Sequence, residues 1–298
     1  MPFYSPLRYP GGKRKLSNYM KLILGQNDLM GAHYIEPYAG GSAVALALLF
    51  EGYASHIHIN DLSRSVYAFW YSVLFETESL CRRIGETPVT VDEWHHQRAI
   101  QEHASEVPLL DLGFSTFFMN RTNWSGIITG GMIGGKNQRG SYKLDARYNV
   151  QDLIDRIKRV ASHRSQIGVY DQHASLFITD VLPTLPHNAL VYLDPPYYSK
   201  GKDLYENDYD YEDHKSVADL VRGMDQRWAV TYENTPEIVE LYKEYRRIEY
   251  SLHYSAGERY SGSEVMFFCD ELSVPSATDP ARVTNGDVDV IEATLPLL

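Results

Sequence analysis

A five-residue apolar run, Ala189-Leu190-Val191-Tyr192-Leu193, is cut off by two prolines in succession, inside the tetrapeptide Asp194-Pro195-Pro196-Tyr197. The run is short, apolar and preceded by the turn-like Pro186-His187-Asn188, so it reads as a buried parallel strand. Neither proline offers an N–H, so a sheet ladder cannot continue through them. Asp194 is thereby placed at the carboxyl end of a strand, where open α/β sheets bind ligands. Such a stiff turn leaves the Asp194 carboxylate and a proline carbonyl as acceptors beside the Tyr197 ring. An amino group with two hydrogens, carried on a flat ring, matches that set of groups. The plain alternative is a strand-ending turn with an accidental acid.

The first third of the chain supplies the other half of a ligand site. His33-Tyr34-Ile35-Glu36 reads as a strand, followed by Pro37-Tyr38-Ala39-Gly40-Gly41-Ser42 and a helix from Ala43 to Phe50. Strand, glycine turn and helix is the nucleotide-binding opening of a doubly wound sheet, with free N–H groups at the helix start. The full GxGxxG pattern is absent, which disfavours a dinucleotide. A second strand, His56 to Asn60, ends in Asp61, 25 residues beyond Glu36. An acid there is placed to accept both ribose hydroxyls of an adenosyl ligand; it also suits a helix N-cap. His56 and His58 alternate on that strand and read as structural or surface residues, and no metal site is expected. Ahead of all this, Arg8-Tyr9-Pro10-Gly11-Gly12-Lys13 is turn chemistry that brings backbone close to something, with Tyr9 as a flat face and Lys13 as a charge. A helix from Lys15 to Leu24 follows it.

Residues 64–166 carry no strand-alternating pattern and read as a helical insertion. It holds a long helix from Ser63 to Arg83, a second from Val91 to Glu106, a third from Leu112 to Asn120, and a basic amphipathic one from Val150 to His163. Between the last two lies a glycine-rich loop bearing Arg121, Asn123, Trp124, Lys136, Asn137, Gln138, Arg139 and Lys143. Such side chains on such a loop suit base edges and phosphates; a solvated surface loop is the alternative. The sheet then resumes with Leu176-Phe177-Ile178-Thr179, a strand ending in Asp180, before the Leu190–Leu193 strand. Arg227 to Tyr232 is a further strand, and Arg246–Leu252 with Val265–Cys269 a closing pair. The fold class expected is α/β: a doubly wound, mostly parallel, Rossmann-like sheet in 1–63 and 167–275, the insertion in 64–166, and an irregular acidic tail in 276–298.

The net charge of −11 argues at first against a polyanion partner. Its distribution softens this: residues 1–21 carry five basic residues and no acidic one, 121–165 nine basic and three acidic, and 270–298 six acidic and one basic. No stretch is long and apolar enough for a membrane span, and the N-terminus lacks the layout of a signal peptide. Cys81 and Cys269 form no disulfide or metal framework, so a cytoplasmic setting is expected.

In order along the chain, Pro10-Gly11-Gly12-Lys13, Glu36-Pro37-Tyr38-Ala39-Gly40, Asn60-Asp61, Asn120-Arg121-x-x-x-x-Gly126, Asp180 and Asp194-Pro195-Pro196-Tyr197 resemble the motifs of Dam-type DNA adenine-N6 methyltransferases, over roughly residues 6–270. The family's second cofactor-loop glycine falls on Ser42 here, and an aromatic that is Trp in many members is Tyr9. The resemblance implies S-adenosylmethionine as methyl donor, held by Tyr9, Gly11, Lys13, Glu36, Pro37, Tyr38, Gly40, Asp61, Asp180 and Asp194. It implies Asp194, Pro195, Pro196 and Tyr197 as the catalytic set, and the insertion as the target-recognition region. Double-stranded DNA is then the expected substrate, the chain a monomer or weak dimer, with room for a partner in a restriction or defence system. Methylation of RNA adenine, methylation of protein glutamine and a non-catalytic DNA-binding subunit are the alternatives.

Overall fold

Seven strands form one sheet in the computed structural model, which describes residues 3–8, 13–198, 209–254 and 260–292. They are β1 (Ala32–Glu36), β2 (Ala54–Asn60), β3 (Ile167–Tyr170), β4 (Ala189–Leu193), β5 (Arg227–Glu233), β6 (Arg246–Tyr254) and β7 (Tyr260–Phe268). Their order across the sheet is β3-β2-β1-β4-β5-β7-β6. β1 to β5 run parallel, and β7 is antiparallel to both β5 and β6. This is the expected doubly wound, mostly parallel, Rossmann-like sheet.

The order decides where a ligand binds. From β1 the chain winds outward through β2 and β3, then returns to the other side of β1 to lay down β4. The crevice at such a reversal opens beyond the carboxyl ends of the two central strands. Glu36 ends β1 and Asp194 directly follows β4, so both acids border it. Both strands are apolar because both faces of a parallel sheet are covered; every residue of β4 is buried.

Helices α1 (Ser17–Gln26) and α2 (Ala43–Phe50) pack on one another beside the sheet. The insertion contains α3 (Arg64–Phe75), α4 (Thr77–Glu86), α5 (Val91–Glu102), α6 (Leu109–Thr122) and α7 (Val150–Ser162). The single helix expected from Ser63 to Arg83 is two, interrupted at Glu76. α6 is the hub: every residue from Leu112 to Thr122 is buried, and α3, α4 and α5 pack on it. Gly113 lets α3 and α6 approach closely, since a Cβ there would stand 2.5 Å from the Ala68 carbonyl oxygen.

Two expectations are corrected. Leu176–Thr179 is no strand. Ala174–Leu176, Phe177–Val181 and Leu182–Thr184 form one continuous helical segment with a π-helical centre. Its start is capped by His173, whose Nδ1 accepts the Ser175 N–H, and the sheet position beside β2 is taken by Ile167–Tyr170. The tail beyond Pro275 is not irregular either: it forms a turn of helix at Pro280–Arg282 and a helix at Asn285–Glu292 that packs on α1.

Candidate active site

The loop after β1 is built around buried polar contacts. Ala39 N–H donates to the Asn60 carbonyl, and Gly40 N–H to Asp61 Oδ2 at 2.8 Å. Asp61 Oδ1 accepts the Ser63 N–H at 2.9 Å, so one carboxylate ties the glycine loop to the start of α3. Asn60 donates to the Pro37 and Gln172 carbonyls and accepts from Gln172, joining the ends of β1, β2 and β3. Ser42 sits in the left-handed region (φ 47), and its buried hydroxyl has no hydrogen-bond partner among the described residues. Glu36 is 4% exposed. Burial pushes its carboxyl up to about 8 against a usual 4.5, opposed by the Ala45 N–H that it accepts. Three carboxylates (Glu36, Asp61 and Asp194) thus border the crevice with an unpartnered hydroxyl. That set of acceptors suits a ligand carrying positive charge and a diol.

On the wall near Asp61, Tyr38 stands edge-on to Tyr209 with ring centroids 6.3 Å apart, and Tyr209 stacks near-parallel to His173 at 6.2 Å. Tyr209 and His173 are site candidates that the sequence reading passed over. No local signal marked them: His173 lies three residues beyond β3, whose four residues carry no readable strand pattern. Asp180, in contrast, lies exposed on the helical segment and accepts from its neighbour Thr179. The strand-end position expected of it belongs to Asp171–His173 instead.

Beyond β4 the structure brings together groups from opposite ends of the sequence. The Lys13 ammonium lies 3.2 Å from Asp194 Oδ1, and donates to the Tyr197 hydroxyl at 3.0 Å and to Glu264 Oε2 at 3.0 Å. Tyr197 donates to Glu264 Oε1 at 3.0 Å, and Lys13 Nζ stands 5.0 Å from its ring centroid. Thr231 on β5 donates to Asp194 Oδ1 at 2.8 Å. Lys13, Tyr197 and Glu264 are all buried, whereas Asp194 keeps 24% of its side chain exposed. Asp194 Oδ1 is therefore committed twice, while Oδ2 has no protein donor among the described residues. Burial holds the Asp194 carboxyl above its usual range; Lys13 opposes this and Glu264 adds to it. Thr231 and Glu264 were not singled out from the sequence. A lone acid at the head of the apolar Val265–Phe268 run reads as a strand boundary.

The insertion meets this cluster through the N-terminal arm. Asn120 donates to the carbonyls of Arg8 and Gly126 and accepts the Arg8 N–H at 2.8 Å. Gly126 has φ 80, and a Cβ there would stand 2.3 Å from the Arg8 carbonyl oxygen. Arg121 donates to the carbonyls of Arg147 and Pro6. Asn123 accepts from Trp94 Nε1 and donates to the Ile127 and Ile128 carbonyls. Arg121 and Asn123 are buried. Both were expected among base-reading residues; in the structure their polar atoms hold the arm and the loop. Trp124, Lys136, Asn137, Arg139 and Lys143 are exposed. Tyr9 and Gly11 lie outside the described residues.

Among solved structures, the chain is similar to a Pyrococcus horikoshii protein described as a "putative RNA methyltransferase", with 10% identity and a TM-score of 0.42 over 88% of this chain and 84% of that one. No curated protein matches the chain in sequence. No helix among the described residues is long and apolar enough to cross a membrane. The family model of the D12 class N6 adenine-specific DNA methyltransferases matches residues 9–256, a span that runs from the N-terminal arm through the Asp194 turn to the β6–β7 hairpin, and the chain belongs to that family.

Proposed function

We propose that the protein transfers a methyl group from S-adenosylmethionine to N6 of an adenine in DNA, after the base has left the duplex. The observation that carries this reading is Asp194. It sits on a stiff turn at the carboxyl end of a central strand, with Oδ1 held by Thr231 and Lys13 and Oδ2 turned to no protein donor among the described residues. Adenine N6 is a weak nucleophile because its lone pair is delocalised into the ring. A carboxylate oxygen and the Pro195 carbonyl, each accepting one N6 hydrogen, favour a pyramidal nitrogen with its lone pair free. The same carboxylate stabilises the positive charge that grows on the amine during transfer.

S-adenosylmethionine supplies an activated methyl on a sulfonium. Asp61 and the Gly40 loop would hold its ribose end, Glu36 and Ser42 its charged end, and the Tyr38, Tyr209 and His173 wall its purine. The protein's task is then to place two reactants in line. Extrusion of the base costs about a few kcal/mol, which contacts to Pro196 and Tyr197 would offset in part. The insertion's exposed Trp124, Lys136, Asn137, Arg139 and Lys143 would serve as contacts to duplex phosphates and base edges, making 64–166 the target-recognition region.

Sequencing the DNA of a host that expresses the protein, with detection of N6-methyladenine, tests this directly. Methylated adenines in one sequence context are expected in the wild type and absent with Asp194→Ala. Unmethylated DNA together with label transfer from S-adenosylmethionine to RNA or protein in a cell extract overturns it.

A further inference from the structure

We propose that Glu264 is a positioning residue of the transfer reaction: it anchors the Lys13 ammonium and the Tyr197 hydroxyl so that Asp194 stays open to the target amine. The inference rests on the function proposed for Asp194.

Glu264 lies on β7 with its side chain 1% exposed, pointing to the same face as Met266 and Phe268. Its two oxygens are divided between the two groups, Oε2 to Lys13 and Oε1 to Tyr197, both at 3.0 Å. An acid buried on an apolar strand is retained only where it is paired. In register it faces Glu233 across β5 and Tyr250 across β6.

Lys13 sets the problem that Glu264 solves. Its ammonium is a compact donor with three hydrogens, and it already reaches Asp194 Oδ1. A target amine must approach the same carboxylate. With both acids ionised, the cation is shared between them. With a neutral side chain at 264, the nearest carboxylate left to Lys13 in this cluster is Asp194, and the ammonium then competes with the amine. Tyr197 at the same time loses the acceptor that fixes its ring beside the Asp194 turn. Several other groups bear on the charge of Asp194. They are Glu36 from the β1 loop and the phenols of Tyr34, Tyr192 and Tyr250, beside Lys13 and Glu264 themselves. Of these, Lys13 favours the ionised carboxylate, and Glu264 opposes it.

Two effects of Glu264→Gln therefore separate a positioning role from a merely structural one. The rate should fall, because Lys13 and Tyr197 are misplaced. The acid limb of the pH–rate profile should also move to lower pH, because Asp194 must be ionised to accept the amine and has lost a neighbouring negative charge. Kinetics of DNA methylation by the full chain read both. We expect kcat to drop about tenfold to a hundredfold, with the acid limb displaced downward. Glu264→Asp, which keeps the charge, should recover part of the rate. Glu264→Gln combined with Tyr197→Phe should lose less than the product of the two single losses. A wild-type kcat in Glu264→Gln overturns the inference. So does a rate loss with an unmoved acid limb, or single losses that multiply. A wild-type protein that binds S-adenosylmethionine yet methylates no adenine in DNA overturns the proposed function, and the inference with it.

Discussion

Asp194 does its proposed work with one oxygen. Oδ1 is fixed by Thr231 and Lys13, so the geometry of Oδ2 is set before a substrate arrives. Asp194→Asn keeps the shape and removes the charge. We expect about a 10²–10³-fold loss in kcat with the fold intact, read by single-turnover methylation. Glu36 makes a second prediction, on stability. Its carboxyl titrates near 8 in the fold against a usual 4.5, so between those values the folded chain binds more protons than the unfolded one. The stabilisation is complete below about pH 4.5 and is lost as pH rises towards 8, by about 3–5 kcal/mol at most. Thermal melts across that range should show a falling slope in the wild type that is flattened in Glu36→Gln. A cationic ligand such as S-adenosylmethionine favours ionised Glu36, so in its presence the slope should weaken in the wild type also.

At the scale of elements, the insertion and the N-terminal arm are one device. Asn120 and Gly126 grip the arm at Arg8, five residues before Lys13. Gly126→Ala places a Cβ against the Arg8 carbonyl at a backbone angle unfavourable to alanine. We expect a cost of about 1–3 kcal/mol, seen as a lower melting temperature. Methylation should fall more than stability explains, because Lys13 is carried on the displaced arm. How far such elements were legible from sequence followed from how local their causes are. β1, β2, β4 and β5 announce themselves by apolar runs bounded by turn residues. Leu176–Thr179 has the same composition, yet the His173 cap starts a helix there and β3 fills the place beside β2. Four residues, Ile167–Tyr170, one of them glycine, give too short a pattern to be read as that strand. In the site, Asp194, Lys13 and Asp61 could be read because motifs flank them. Glu264 and Thr231 could not, because strand pairing across β4, β5 and β7 brings them to Asp194 and no local pattern records it.

For the whole molecule, the tail is part of the body. Asn18 on α1 donates to the Val283 carbonyl and to Asn285 Oδ1, and Val283 and Val288 are buried. Removing residues 276–298 exposes the α1 face that carries Asn18 and should lower the melting temperature by about 5 °C or more. Pro280–Arg282 also packs on the turn Lys13–Leu16, so methyl transfer, assayed below the new melting point, should fall as well.

The cluster at Asp194 joins residue 13 to residue 264. A ribosome lays down Lys13 first, Asp194 and Tyr197 much later, and Glu264 near the end. A nascent chain that has already folded β1, β2 and the insertion still lacks the carboxylate that holds its lysine in place. If Glu264 positions Lys13 as proposed, methyl transfer becomes possible only once the closing hairpin is in place, and chains cut short before β7 should lack it.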